Sequence, residues 1–335
     1  MTTSDADITD RDEADSSSLE QRASGVPSSG APLEVQVGLT GTLRGMLRTM
    51  RPHQWVKNVF VLAPVVFAKE LFDVQLLIRA GGAFGVFCFL AAAVYTLNDI
   101  VDAEADRMHP VKRFRPIASG QVTVGQAKLL LATLLVLAFG GAAYGSTAFL
   151  LTATTYFILN VAYSFKLKHI AYLDVGIISA GFVLRVMAGG YGTHIQVSNY
   201  LFVCTALLAL FLGFGKRRHE LTVAAHRAGK QRAALKGYSE RGLDAALMLT
   251  GLATVGVYTS YTLDEHTLEF FQSEHLWWTS GFVVAGVLRF LFLVRHRPKA
   301  ESPTQEMLKD GPFVAAVLLW VMVVLWIVYN LQPSP

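Results

Sequence analysis

Apolar runs, most of them about twenty residues long, alternate with short polar stretches through most of this chain. They fall at roughly 58–74, 79–101, 124–143, 147–165, 170–190, 199–215, 242–262, 277–296 and 311–330. About twenty apolar residues in a helix cross a hydrocarbon layer of about 30 Å, so the pattern predicts transmembrane helices. The expected fold is all-α: a polytopic membrane protein with nine transmembrane helices spanning 58–331. The Gly-rich stretches "GGAFG", "FGGAAYG" and "AGGYG" suit helices packed closely in a bundle.

Two segments precede the first run. Residues 1–35 are acidic, rich in Ser, Pro and Gly and almost free of large apolar side chains, so a disordered tail is expected there. They lack the basic start and apolar core of a secretory signal. Residues 36–57 place Leu39, Leu43, Met46, Leu47 and Met50 on one helical face and Arg44, Arg48 and Arg51 elsewhere. That division predicts an amphipathic helix lying in the membrane interface.

Composition agrees with the pattern: 53% of the 335 residues are hydrophobic and 16% charged. The two cysteines, Cys88 and Cys204, sit inside apolar runs, which implies free thiols rather than a disulfide framework. The net charge of +4 matters less than its placement. One set of connections carries Arg107, Lys112, Arg113 and Arg115, then Lys166 and Lys168, then the basic stretch from Lys216 to Arg241, then Arg295, Arg297, Lys299 and Lys309. The other set carries Asp264, Glu265, Glu269 and Glu274, with Lys69 and Arg79 as its exceptions. By the positive-inside rule the basic side is cytoplasmic, the N-terminus is inside, and nine spans leave the C-terminus outside. The expected location is the plasma membrane. No nucleic-acid partner is expected, and a homo-oligomer is compatible with such a bundle.

The second run ends in "NDIVDAEADRMHPVKRFRPIASG". Asn98, Asp102 and Asp106 follow each other at four-residue steps, which turn about 40° and rise about 6 Å each, so they form one stripe. Two carboxylates so close repel each other, and a helix C-terminus disfavours negative charge. Mg²⁺ answers both difficulties, since it takes hard oxygen ligands and is commonly shared between one or two carboxylates and a substrate phosphate. The plain structural reading is an acidic helix end neutralised by the bases that follow. Those bases, Lys112, Arg113 and Arg115, lie between Pro110 and Pro116 and are suited to phosphate oxygens. Acids for a metal beside bases for phosphate predict a diphosphate site, with Asn98, Asp102 and Asp106 as its metal and catalytic residues.

Other ends on the basic side repeat the chemistry with Arg51, Lys57 and Asn58, with Tyr163, Lys166 and Lys168, and with Lys216, Arg217, Arg218 and Glu220. Each alone reads as a topology anchor; together they predict a basic pocket. Arg185 lies inside the fifth run, eleven positions after Asp174 and nearly on its face. A charge within a span usually faces a cavity or a partner, so Arg185 is expected to reach a phosphate or an acid of another helix.

With these residues in view, the chain resembles the UbiA superfamily of intramembrane prenyltransferases from about Arg51 to Asn330. The superfamily's first aspartate-rich motif, Asn-x-x-x-Asp-x-x-x-Asp, matches Asn98, Asp102 and Asp106, and its nine-helix bundle matches the run count. The segments "RPHQWVKN", "HPVKRFRPIASG", "FKLKH" and "GKRRHEL" resemble its branch that acts on polyprenyl phosphates. That resemblance implies Mg²⁺-dependent transfer of 5-phosphoribose from phosphoribosyl diphosphate (PRPP) to decaprenyl (polyprenyl) phosphate, releasing diphosphate, for cell-wall arabinan precursors. It implies phosphate contacts from Lys57, Lys112, Arg113, Arg115, Tyr163, Lys166, Lys168, Arg185, Lys216 and Arg217. Many members carry a second Asp-x-x-x-Asp motif at the fifth span, whereas here Ile178 stands four residues after Asp174.

The nearest rival function moves a prenyl chain from a prenyl diphosphate to an aromatic acceptor with the same acid stripe; the dense bases and the missing second acid count against it. A transporter should show internal repeats or broken helices, and neither is visible in the sequence.

Overall fold

A computed structural model of the chain describes residues 38–226, 235, 237–296 and 303–330. The expected tail at 1–35, Arg297, Lys299 and most of the stretch after His226 lie outside the described residues. Among the described residues every regular element is helical.

Eight helices are long and apolar enough to cross a membrane, by length and composition. In chain order, α1 is Leu39–Met50, α2 Ala63–Phe67, α3 Val74–Val101, α4 Ala103–Arg107, α5 Val124–Gly145, α6 Thr147–Phe165 and α7 Leu173–Thr193. Then come α8 Asn199–His226, α9 Glu240–Leu263, α10 Glu265–Phe271, α11 Ser280–His296, α12 Pro303–Lys309 and α13 Gly311–Asn330. The spanning helices are α3, α5 to α9, α11 (extended back to Leu276) and α13. They match eight of the nine expected runs to within a few residues, apart from α3 and α8, which reach further. Local chemistry sets several starts: Asp73, Ser146 and Ser239 accept from backbone N–H groups in the first turns of α3, α6 and α9. Thr123 and Gln126 form a reciprocal capping box on α5.

The expected first span at 58–74 is not a long α-helix. Residues Pro52–Leu62 form a 3₁₀ helix that runs into α2, and α3 begins already at Val74. This segment still passes from one end of the bundle to the other. Arg51 bonds Asp99 near the end of α3, Asn58 bonds Cys88 in its middle, and Lys69 donates to the Phe270 carbonyl beyond α9. A 3₁₀ helix rises about 2.0 Å per residue against 1.5 Å for α, so the sixteen residues Pro52–Phe67 cover about 30 Å. A crossing too short for an α-helix thus spans the layer by being wound more tightly.

The 36–57 segment also differs from expectation, because helix α1 stops at Met50. Pro52 cannot donate a helical hydrogen bond and disfavours α geometry before it; Arg51 turns at φ 53°. On α1, Thr42, Gly45 and Thr49 are buried against the bundle, while Leu39, Leu43 and Leu47 are exposed.

Phe87, Leu90, Phe149 and Tyr156 from α3 and α6 form one core with Val61 of the 3₁₀ segment. Close approach is required where α7 meets that segment: a Cβ at Gly189 would collide with the Val61 carbonyl. A second core joins α7, α8, α9 and α11 through Val175, Phe211, Leu243, Val287 and Phe290. The ends of α3, α6 and α8 and the starts of α5, α7 and α9 lie at the basic end, where the candidate site is found.

Candidate functional site

Asn98, Asp102 and Asp106 keep their stripe. The N–H of Asp102 donates to the Asn98 carbonyl at 2.9 Å, and that of Asp106 to the Asp102 carbonyl at 2.8 Å. Helical hydrogen bonding therefore runs through the break between α3 and α4. The three side chains differ in their surroundings. Asn98 and Asp102 are half-buried, and among the described residues no hydrogen bond or ion pair holds either side chain. Asp106 is buried; Arg115 Nη1 donates to its Oδ2 at 2.6 Å and Lys112 Nζ stands 3.8 Å from its Oδ1.

Asp99 was absent from the sequence reading. It is 2% exposed, and its Oδ1 accepts from Arg51 Nη2 at 2.6 Å and from Arg115 Nη1 at 3.3 Å. Arg115 thus bridges Asp99 and Asp106. The Arg51 guanidinium also lies over the Tyr95 ring, 4.9 Å from its centroid. The sequence signal was its spacing from Asp106: seven residues bring the two within about 20° of each other round the helix.

The remaining bases divide. Lys57 lies within electrostatic reach of Lys216, Arg185 and Arg51, and its Nζ contacts Gln54 at 3.5 Å. Lys57, midway along the 3₁₀ segment, and Lys216, within α8, are exposed. Arg113 is exposed, with its guanidinium 4.8 Å from the Phe114 ring. Lys166 is exposed and Lys168 half-buried in the turn after α6, and Tyr163 is half-buried within electrostatic reach of Arg217.

Arg185 is buried among neutral acceptors. It donates to Asn58 Oδ1 at 2.8 Å, to the Gly181 carbonyl at 2.8 Å and to the Tyr156 hydroxyl at 2.7 Å. It does not meet Asp174, despite their shared face. Asp174 is fully buried and saturated: it accepts from Arg217 Nε at 2.7 Å, from the Val175 N–H at 2.8 Å and from the Tyr238 hydroxyl. Arg217 also bonds Glu220, and unlike Lys57 and Lys216 it is buried. Burial, and then the bond to Asp174, hold the Tyr238 phenol above its ordinary pKa.

Among the described residues no group of three His, Cys, Asp or Glu side chains could hold a metal. The stripe reaches three ligands only by counting the Asn98 amide oxygen. That oxygen and the Asp102 carboxylate are hard donors without partners among the described residues, one turn apart, and Asp106 joins them on the same face. This set fits an ion such as Mg²⁺, which completes its shell with water and phosphate.

The model of the UbiA prenyltransferase family matches residues 59–307. A decaprenyl-phosphate phosphoribosyltransferase of Corynebacterium glutamicum is 33% identical over 293 residues, covering 85% of this chain and 87% of that protein. One of Mycolicibacterium smegmatis with the same name is 30% identical over 304 residues, covering 88% and 93%. Among solved structures, a UbiA homolog from Archaeoglobus fulgidus bound to DMAPP and Mg²⁺ superposes with TM-score 0.62 at 20% identity, covering 86% of this chain and all of that one. That likeness concerns the fold.

Proposed function

Since the chain belongs to the UbiA prenyltransferase family and is an enzyme, we propose that it transfers 5-phosphoribose from PRPP to a polyprenyl phosphate such as decaprenyl phosphate. Diphosphate is released, and the product serves cell-wall arabinan synthesis. The observation that carries this reading is the pairing of an open oxygen stripe, Asn98 and Asp102, with bases already gathered around Asp99 and Asp106. The names of the relatives that match most of the chain support the same donor and acceptor.

Asn98, Asp102 and Asp106 hold Mg²⁺ in this reading. When bound, the ion neutralises charge on the departing diphosphate. Lys112 and Arg115 bind donor phosphate oxygens with charge-assisted hydrogen bonds, and Arg113 adds its charge at the rim. The acceptor phosphate is drawn to the group of Lys57 and Lys216, with Tyr163, Lys166 and Lys168 at the neighbouring turn. Arg185 sets the position of the Lys57 segment through Asn58. The donor's C1–O bond to diphosphate breaks with its electron pair leaving on diphosphate, and a lipid phosphate oxygen forms the new bond to C1. A phosphate monoester is already ionised near neutral pH, so no strong general base is needed. The basic end faces the cytoplasm of a cell membrane, where PRPP is soluble, and the prenyl chain lies between helices in contact with the bilayer.

The test is transfer by purified protein in detergent with Mg²⁺, pentose-labelled PRPP and polyprenyl phosphate. Label entering the organic phase with wild type, and not with Asp102→Ala or after chelation, is the expected result. No labelled lipid, together with turnover of a prenyl diphosphate and an aromatic acceptor, replaces this reading with prenyl transfer.

A further inference from the structure

Asp99 lies at the centre of the basic network, beside the Asp106 end of the stripe. Its carboxylate is buried; it stands one residue beyond Asn98 and seven before Asp106, within about 20° of Asp106 round the helix, and Arg115 bonds both carboxylates. One oxygen, Oδ1, accepts from both Arg51 and Arg115. These arginines come from different places: Arg51 ends the turn between α1 and the 3₁₀ crossing, and Arg115 follows the loop after α4. Each stands at one end of a 3₁₀ turn: the Gln54 N–H donates to the Arg51 carbonyl at 2.9 Å, and the Arg115 N–H to the Lys112 carbonyl at 2.9 Å. Without an anion between them, two guanidinium groups sharing one small volume repel each other.

Each arginine gives Asp99 only part of its donor fork. Arg51 uses Nη2 and Arg115 uses Nη1, so among the described residues Nε and the other Nη of each have no protein acceptor. Both side chains remain partly exposed, at 22% and 28%. Arg115 also reaches Asp106, the stripe member whose carboxylate must turn to a metal before that metal has three protein ligands. Asp99 is the anchor that stays when Asp106 is drawn away.

Resting on the phosphoribosyl-transfer reading, we propose that Asp99 is a positioning residue for the diphosphate: it fixes Arg51 and Arg115 with their free N–H groups toward the donor, and it does not ligate the metal. Asp102 then governs metal affinity, while Asp99 governs diphosphate affinity at saturating metal. Removing the Asp99 charge leaves both cations in place but unaligned, which raises KM for the donor more than it lowers kcat.

The experiment uses full-length protein in detergent with two probes, Mn²⁺ alone followed by paramagnetic resonance and inorganic diphosphate titrated calorimetrically at saturating Mn²⁺. Asp99→Asn is expected to keep Mn²⁺ affinity and to weaken diphosphate about tenfold or more, the size of a lost charge-assisted bond. Asp102→Asn is expected to lose Mn²⁺. Arg115→Ala added to Asp99→Asn is expected to cost little more than Arg115→Ala alone, because both changes remove the same alignment. If Asp99→Asn does not fold, Arg51→Ala reads the same coupling through a fall in diphosphate affinity. Loss of Mn²⁺ in Asp99→Asn makes Asp99 a ligand and overturns the proposal, as does unchanged diphosphate affinity in Asp99→Asn or Arg51→Ala. Wild type that binds Mn²⁺ but no diphosphate overturns the transfer reading together with the role given to Asp99.

Discussion

Arg185 on α7 donates to Asn58 of the 3₁₀ crossing at 2.8 Å, across 127 positions of sequence. Asn58 in turn donates to Cys88 Sγ on α3 at 3.3 Å. This bond ties the middle of the only described crossing that is not a long α-helix to two spanning helices. The segment it ties begins at Arg51 at the basic end and carries Lys57 next to Asn58.

Replacing Arg185 by Leu therefore removes the donor to Asn58, the Tyr156 hydroxyl and the Gly181 carbonyl at once. Buried polar groups left without partners cost about 1–3 kcal/mol each. The variant is expected to unfold at lower temperature in detergent, and to lose donor affinity with the displaced segment. Thermal unfolding of wild type and variant checks the first effect. An unchanged midpoint counts against the clamp.

Gly189→Ala tests the same contact from the other side. The added methyl meets the Val61 backbone carbonyl, which has no side-chain freedom with which to yield. Overpacking of this kind costs about 1–3 kcal/mol. A lower unfolding midpoint with a raised KM for the donor is expected; Gly181→Ala, where the nearest atom is the Arg185 side-chain nitrogen of the same helix at 3.5 Å, should be milder.

Asp102 and Asp174 should separate site from scaffold. Asp102→Ala removes a side chain with no described partner, so stability stays near wild type while Mn²⁺ binding and Mg²⁺-dependent transfer are lost. Asp174→Ala leaves Arg217 buried without its inner carboxylate, and breaking such a pair costs about 3–5 kcal/mol. Its Mn²⁺ affinity, measured on whatever fraction folds, should match wild type. Equal metal loss in both variants contradicts the assignment.

Tyr238 gives a pH dependence with a definite sign. Its phenol is raised in the folded protein by burial and by the bond to Asp174. The folded state then holds the proton where an unfolded chain, with an ordinary value of about 10, releases it. The stability linked to this proton is complete below about pH 10 and is lost as pH rises beyond it. Tyr238→Phe should lose the Asp174 bond at every pH and flatten this alkaline decline, as read from unfolding midpoints between neutral and strongly alkaline buffer.

Much of the candidate site was readable before the structure because it is local. Asn98, Asp102 and Asp106 lie on one stripe by helical period alone, and the bases follow within a few residues. Asp99 escaped because its role depends on Arg51, 48 positions earlier, which a periodic pattern cannot register. The same limit hid the tie between Asp174 and Arg217, 43 positions apart.

The sequence by itself determined the all-helical membrane fold, eight of the spans, the segregation of bases to one end and the acid stripe. These follow from run length against bilayer thickness and from the helical repeat, both properties of a contiguous segment. Only the tertiary structure decided which acids are neutralised and which stay open, and that the short first crossing completes its passage as a 3₁₀ helix. Those outcomes depend on burial and on charges brought together from distant segments, where low polarity makes each buried ion require a specific partner.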